Sequence, residues 1–176
     1  MPKLSNIKKL ALSAMFLALG IILPIFTMQI KEIGDTLLPM HMPIMLCGLI
    51  CGAKFGFATG LVLPFMRSLL FSMPPMYPNA VWMSLELATY GLVIALSFKT
   101  FKRKNVFALY VSLISSQIAG RLVWGISKTV LLGISGKPFG LEMFLIGGFV
   151  DSALGIALQL ILVPSIMLLV KNSKKT

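Results

Sequence analysis

The sequence predicts an all-α membrane protein, six transmembrane helices in one bundle with the N and C termini both cytoplasmic. Three observations lead there. The chain is 57% hydrophobic and only 12% charged, with a mean hydropathy of +0.94, which is far too apolar for an ordinary soluble domain. Its apolar residues fall into six runs, 10–26, 37–53, 55–73, 79–98, 106–132 and 143–170, each near the roughly 20 residues that a helix needs to cross a bilayer core. Eleven of the sixteen basic residues collect on one side. With six spans, that side holds both termini and Lys3, Lys8, Lys9, Lys54, Lys99, Lys102, Arg103, Lys104, Lys171, Lys174 and Lys175, with no acid among them. The positive-inside rule assigns it to the cytoplasm. Residues 1–176 form a single domain on this reading. The net charge of +11 then reports orientation and contact with anionic lipid, and nucleic acid is not expected as a partner.

The first run follows Lys8 and Lys9 as a signal peptide would, but no A-x-A-like cleavage site comes after it and five more runs do, so it is read as a retained span. Ala14-Met-Phe-Leu-Ala18 is a small-xxx-small pattern that lets another helix approach closely, either within the bundle or from a partner. The mixed stretch TMQIKEIGDTLLPMH, residues 27–41, is placed outside. It is long enough to cover whatever the bundle holds, although many such loops only connect.

The second run opens irregularly at Pro39 and Pro43 and carries Cys47 and Cys51, four residues apart and on one helix face. With no third cysteine and His41 as the only histidine, no metal site is expected. His41 is a candidate site residue, or a partner for backbone freed near the prolines. The turn Cys-Gly-Ala-Lys-Phe-Gly, residues 51–56, joins the second and third runs as a tight helical hairpin.

Residues 67–86, RSLLFSMPPMYPNAVWMSLE, are polar where their flanks are oily. Charge inside a membrane is costly, so it marks a functional site by default. Arg67 lies about 8 Å from the outer end of the third run at roughly 1.5 Å per residue, shallow enough to snorkel. In the fourth run Asn79, Trp82, Glu86 and Tyr90 fall on one helical stripe. Glu86 is about 12 Å deep by the same rise, too deep for a short side chain to reach water. It is either a ligand contact or the partner of Arg67 or Arg121.

The fifth run repeats the pattern with Gln117, Arg121, Trp124 and Lys128 on one face. Arg121 is about 17 Å from the outer end and Lys128 about 6 Å, so Lys128 is also placed to be interfacial. The sixth run supplies Gly147, Gly148, Asp151, Gly155 and Gln159, with Asp151 either pairing with Arg121 or meeting a ligand. These charges share the outer halves of the spans, and the inner halves have almost none. The pattern describes a cup open outward and closed inward, whereas a channel or proton relay would continue polar residues to the cytoplasmic side. Two aromatic faces with a few charged and amide groups suit a small, flat, polar ligand.

The whole chain resembles the substrate-binding S components of energy-coupling factor (ECF) vitamin transporters, small six-helix proteins of the bacterial cell membrane. The likeness rests on Ala14-Met-Phe-Leu-Ala18, on the block LPMHMPIMLCGLICGAKFG at 38–56, and on RSLLFSMPPMYP at 67–78 followed by LELATYG at 85–91. It implies capture of a vitamin or precursor without a cofactor. It also implies partnership with a transmembrane coupling subunit, contacted through Ala14 and Ala18, and with two ATPases. The chain itself has no phosphate-binding G-x-x-x-x-G-K-[ST] loop. The resemblance places the ligand near the outer surface under the first loop as a lid, in agreement with the cup. Substrate-binding candidates are Asn79, Trp82, Glu86, Tyr90, Gln117, Arg121, Trp124, Lys128, Asp151 and His41. Glu86 as an acceptor and the tryptophans as stacking faces favour a hydroxymethylpyrimidine or a vitamin B6 form, with pantothenate, whose carboxylate suits Arg121 and Lys128, second. A stand-alone secondary transporter is the rival class, although the spans show no inverted repeat. An enzyme is disfavoured by the lack of H-E-x-x-H and G-x-S-x-G.

Overall fold

The computed structural model describes residues 5–25, 36–102, 105–134, 136 and 139–172, and no strand occurs among them. The helices are α1 (Asn6–Ile22), α2 (His41–Cys51), α3 (Ala53–Phe71), α4 (Val81–Thr100), α5 (Val106–Ile134), α6 (Leu141–Leu145) and α7 (Ala153–Asn172). The first loop at 26–35, with Glu32 and Asp35, lies outside the described residues, as do Lys3, Arg103, Lys104, Lys174 and Lys175. The Ser5 hydroxyl accepts from the Lys8 amide and starts α1, satisfying one of the donors that a helix N-terminus leaves open.

Among the described residues, five helical segments are long and apolar enough to cross a membrane: Asn6–Ile25, Ala53–Phe71, Met76–Thr100, Val106–Ile134 and Ala153–Val170. The expected second span is instead the 11-residue α2, about 16 Å long against a hydrocarbon core of roughly 30 Å. The turn at Pro39 and Met40 delays its start, and Gly52, at φ 98°, ends it one residue before α3 begins. Nine of the 11 residues of α2 are buried. Its hydrophobicity therefore reflects a place inside the protein rather than a lipid-facing surface.

The expected sixth span is also interrupted. A wide turn at Ile146–Val150 separates α6 from α7. Within it the Asp151 amide donates to the Ile146 carbonyl at 2.9 Å, and the Ser152 hydroxyl donates to the carbonyls of Gly147, at 3.3 Å, and Gly148, at 2.8 Å.

Helix α4 is the centre of the bundle, packed against α2, α3 and α5. Glycines allow its approach. A Cβ on Gly56 would lie 2.7 Å from the Gly91 carbonyl oxygen, and one on Gly60 would lie 2.5 Å from that of Leu87, so α3 and α4 touch backbone to backbone. A small polar node ties in the first helices: Thr59 Oγ1 donates to Cys47 Sγ at 3.3 Å, and Cys47 Sγ donates to Ser13 Oγ at 3.6 Å. Cys47 and Cys51 are buried free thiols.

Helix α1 is the least enclosed of the candidate spans. It buries only Ser13, Phe16 and Gly20, and it exposes Ala14 and Ala18 together with Leu10, Met15 and Leu19. The alanine pair thus does not serve packing inside this chain.

Gly60→Leu is expected to force α3 and α4 apart and to cost about 1–3 kcal/mol, the usual range for overpacking. A lowered thermal unfolding midpoint in detergent would register it, and an unchanged midpoint would contradict the backbone contact.

Candidate functional site

A cavity of about 490 Å³ occupies one end of the bundle, within the size range of small-ligand sites. It forms where the N-terminal ends of α2 and α4 meet the C-terminal parts of α3 and α5 and the 147–151 turn. The alternating directions of successive helices bring these ends together, and Lys54 and Lys99 sit at the opposite ends of their helices. Met73, Pro74 and Pro75 contribute its rim.

Glu86 forms the floor. Its carboxylate is 2% exposed, and Oε1 accepts from Arg121 Nη1 at 3.0 Å. The same oxygen lies 3.4 Å from His41 Nε2. The Tyr90 side chain also interacts with this carboxylate, and the His41 ring stands edge-on to the Tyr90 ring with centroids 5.1 Å apart. The i, i+4 spacing of Glu86 and Tyr90 on α4 stacks the phenol directly beneath the acid. A Cβ on Gly120 would meet the Tyr90 ring at 2.7 Å, so the absence of a side chain there makes room for that phenol against α5. Of the alternatives for Arg121, the observed partner is Glu86 and not Asp151.

The walls are aromatic and cationic. Lys128 Nζ lies 4.5 Å from the Trp124 ring centroid, 5.5 Å from that of Trp82 and 5.0 Å from that of Phe139, a cluster of cation–π contacts. Arg121 also lies over Trp124, with Cζ 5.8 Å from the ring centroid. Trp124 is packed in turn against Phe139 and Phe144. Lys128 is therefore held among rings, and an interfacial position alone does not describe it.

Of the ten residues singled out in the sequence, His41, Asn79, Trp82, Glu86, Arg121, Trp124, Lys128 and Asp151 line this cavity. Tyr90 and Gln117 do not. Tyr90 is buried below Glu86, and Gln117 Nε2 donates to Gln159 Oε1 at 3.0 Å in the interior between α5 and α7. Asp151, in the turn before α7, is exposed at the cavity, whereas Gln159 is buried.

Arg67 joins the lining although its depth also allowed it to snorkel. It is 4% exposed, donates from Nη1 to the Ile21 carbonyl at 3.2 Å and lies over the Phe71 ring at 5.7 Å. Phe139 was not singled out, because it sits in a connection and shares no helical stripe with the other residues. No group of histidine, cysteine and carboxylate side chains suited to a metal ion occurs among the described residues.

Removing one member of a buried pair strands the other. Arg121→Gln and Glu86→Gln are each expected to destabilise the protein, the former by about 3–5 kcal/mol, and the Glu86→Gln/Arg121→Gln double variant to recover much of that loss. Thermal unfolding in detergent would show this as a double-mutant cycle, and additive losses would mean that the two charges do not support each other.

A comparison with protein families matches residues 8–167 to the family described as ECF transporter, substrate-specific component. No curated protein and no solved structure gives a match.

Proposed function

The chain belongs to the family of ECF transporter substrate-specific components, a multi-pass membrane protein and substrate-binding subunit of a transporter, and from that premise we propose that it captures a small water-soluble vitamin or precursor at the outer face of the cell membrane for import by an ECF module. The observation that supports this most is the cavity with its sealed floor. Below the Glu86–Arg121 pair, the bundle is filled by Tyr90, Ile44, Met45, Leu87 and Leu113, all fully or almost fully buried. A ligand entering at the rim meets polar and aromatic walls and then a packed end, an arrangement suited to holding rather than conducting.

The proposed topology is the six-pass one, with α2 and the residues leading into it making the short second pass and both termini in the cytoplasm. Lys8, Lys9, Lys54, Lys99 and Lys102 gather at the bundle end away from the cavity, and the positive-inside rule supports placing that end inside. In the same reading, ATP hydrolysis comes from two partner ATPases acting through a transmembrane coupling subunit. The exposed Ala14 and Ala18 on α1 offer that subunit a close, side-chain-poor approach.

The ligand proposed is flat and vitamin-sized. Trp82 and Trp124 in the walls favour a pyrimidine or pyridine ring, as in a hydroxymethylpyrimidine or a vitamin B6 form. One observation favours the pantothenate alternative: Glu86 Oε1, the acceptor on which the ring reading drew, is already engaged by Arg121 and His41. Asn79, Lys128 and Asp151 are proposed as contacts nearer the mouth.

Ala14→Trp and Ala18→Trp are expected to abolish co-purification with a coupling subunit and two ATPases while leaving ligand binding by the solitary protein unchanged. Loss of binding in either variant, with the fold intact, would contradict the division of roles. Uptake that follows an ion gradient without ATPases would favour the secondary-transporter reading.

A further inference from the structure

Arg121 spends only part of its hydrogen-bonding capacity on Glu86. Nη1 makes that bond, whereas Nε and Nη2 are buried and have no hydrogen-bond partner among the described residues. These are the two nitrogens of the side edge of the guanidinium. The edge carries two roughly parallel N–H donors whose spacing matches the two oxygens of a carboxylate, which is why arginine recognises planar oxyanions in a bidentate way. Buried charged donors are costly to leave unmatched. Arg121 is 3% exposed and lines the cavity, and Nε and Nη2 have almost no accessible surface in the empty protein, so a group brought into the cavity completes this edge once the side chains that cover it give way.

The charge balance of the walls points the same way. The lining contains Arg67, Arg121 and Lys128 against Glu86 and Asp151, three cations to two carboxylates. The Glu86 charge is already opposed by Arg121 at 3.0 Å. Asp151 stands exposed, where solvent weakens its field. Among the described lining residues, a neutral ligand leaves this count of charges unequal and a monoanion evens it.

We propose that the captured ligand carries a carboxylate, or a planar oxyanion of the same shape, which seats on the Nε/Nη2 edge of Arg121. The inference rests on the reading of this cavity as a capture site, and among the ligands which that reading admits it selects the acids. Trp124 follows Arg121 by three residues and Lys128 by seven, on the same face of α5. A ligand anchored by its acid at Arg121 therefore extends along Trp124 and the Lys128 cluster toward the mouth. Glu86 acts on the ligand through Arg121: by holding Nη1 it fixes the plane of the guanidinium and so the direction of the free edge. It is a positioning residue in this arrangement.

The two tryptophans of the chain, Trp82 and Trp124, both line the cavity, so intrinsic fluorescence of the full chain in detergent reads binding directly. The probes are two matched pairs, pyridine-3-carboxylate with pyridine-3-carboxamide and pantothenate with panthenol, together with 4-amino-5-hydroxymethyl-2-methylpyrimidine. In at least one pair the acid is expected to bind at least tenfold more tightly than its neutral partner. Arg121→Lys keeps a cation for Glu86 but removes the two-donor edge, and it is expected to lose at least tenfold in acid affinity with an unchanged unfolding midpoint. Neutral partners binding as tightly as the acids, the pyrimidine binding while neither acid does, or Arg121→Lys retaining full acid affinity would each overturn the proposal. Mass spectrometry of small molecules extracted from the chain as purified from its host provides a second arm. A retained compound without an acidic group overturns this inference alone, whereas no bound compound in either arm overturns the capture reading and this inference with it.

Discussion

The interaction on which the rest of this structure depends is the pairing of Glu86 with Arg121. Each side chain comes from the interior of a membrane-spanning helix, and neither could stay ionised there by itself without a large desolvation cost. Pairing them demands that α4 and α5 lie close and in one register. Tyr90 then falls directly below the acid, and only a residue without a side chain at position 120 leaves space for the phenol. His41 completes the group from a third helix, and its place at the first position of α2 gives a reason for that helix to begin where it does. One ion pair thus fixes the relative depth of α2, α4 and α5, and the cavity is the space left above it.

The two ends of the bundle answer to different constraints. Below the pair, glycines and small side chains bring α2, α3 and α4 into backbone contact, and in lipid such close packing replaces the hydrophobic driving force that water would supply. Above the pair, bulky rings and prolines hold the helices apart. Arg67 connects the two regimes. It lines the cavity and donates to the Ile21 carbonyl at the last turns of α1, so the helix that exposes Ala14 and Ala18 is hydrogen-bonded to the wall of the site.

Much of the site was legible because charged and aromatic residues in oily helices stand out, and helical periodicity assigns them to faces. Periodicity says nothing of where a cavity ends, however. The stripe from Asn79 to Tyr90 spans 11 residues, about 16 Å of helix, and the floor at Glu86 cuts it short, leaving Tyr90 in the core. Gln117 is cut off in the same way by its bond to Gln159. Hydropathy cannot distinguish residues facing lipid from residues buried in protein, and α2 therefore reads as a full span when it is a short, enclosed helix. The break at 146–150 was foreshadowed by Gly147 and Gly148, but glycine pairs occur equally in continuous packed helices. Phe139 had no local signal, since its role arises only from its contacts with Lys128 and Trp124. The first-loop lid expected at 27–41 falls largely on residues 26–35, outside the described part of the chain.

A cavity closed at its floor has a consequence for transport. A ligand held above the Glu86–Arg121 pair could leave toward the other side only if that pair were broken, which would strand two charges in a low-dielectric interior, or if the whole cavity were carried across. Opening a path through the floor would also have to part α3 from α4, where backbone meets backbone at Gly56 and Gly60. Tightly interdigitated packing of this kind resists gradual deformation. Movement of the bundle as one body leaves both the pair and the glycine contacts intact, and the work then falls on whatever grips the outside of the bundle. On the reading proposed above, the exposed alanine face of α1 is where such a grip would fall, because α1 is the least buried of the candidate spans and is bonded to the site through Arg67.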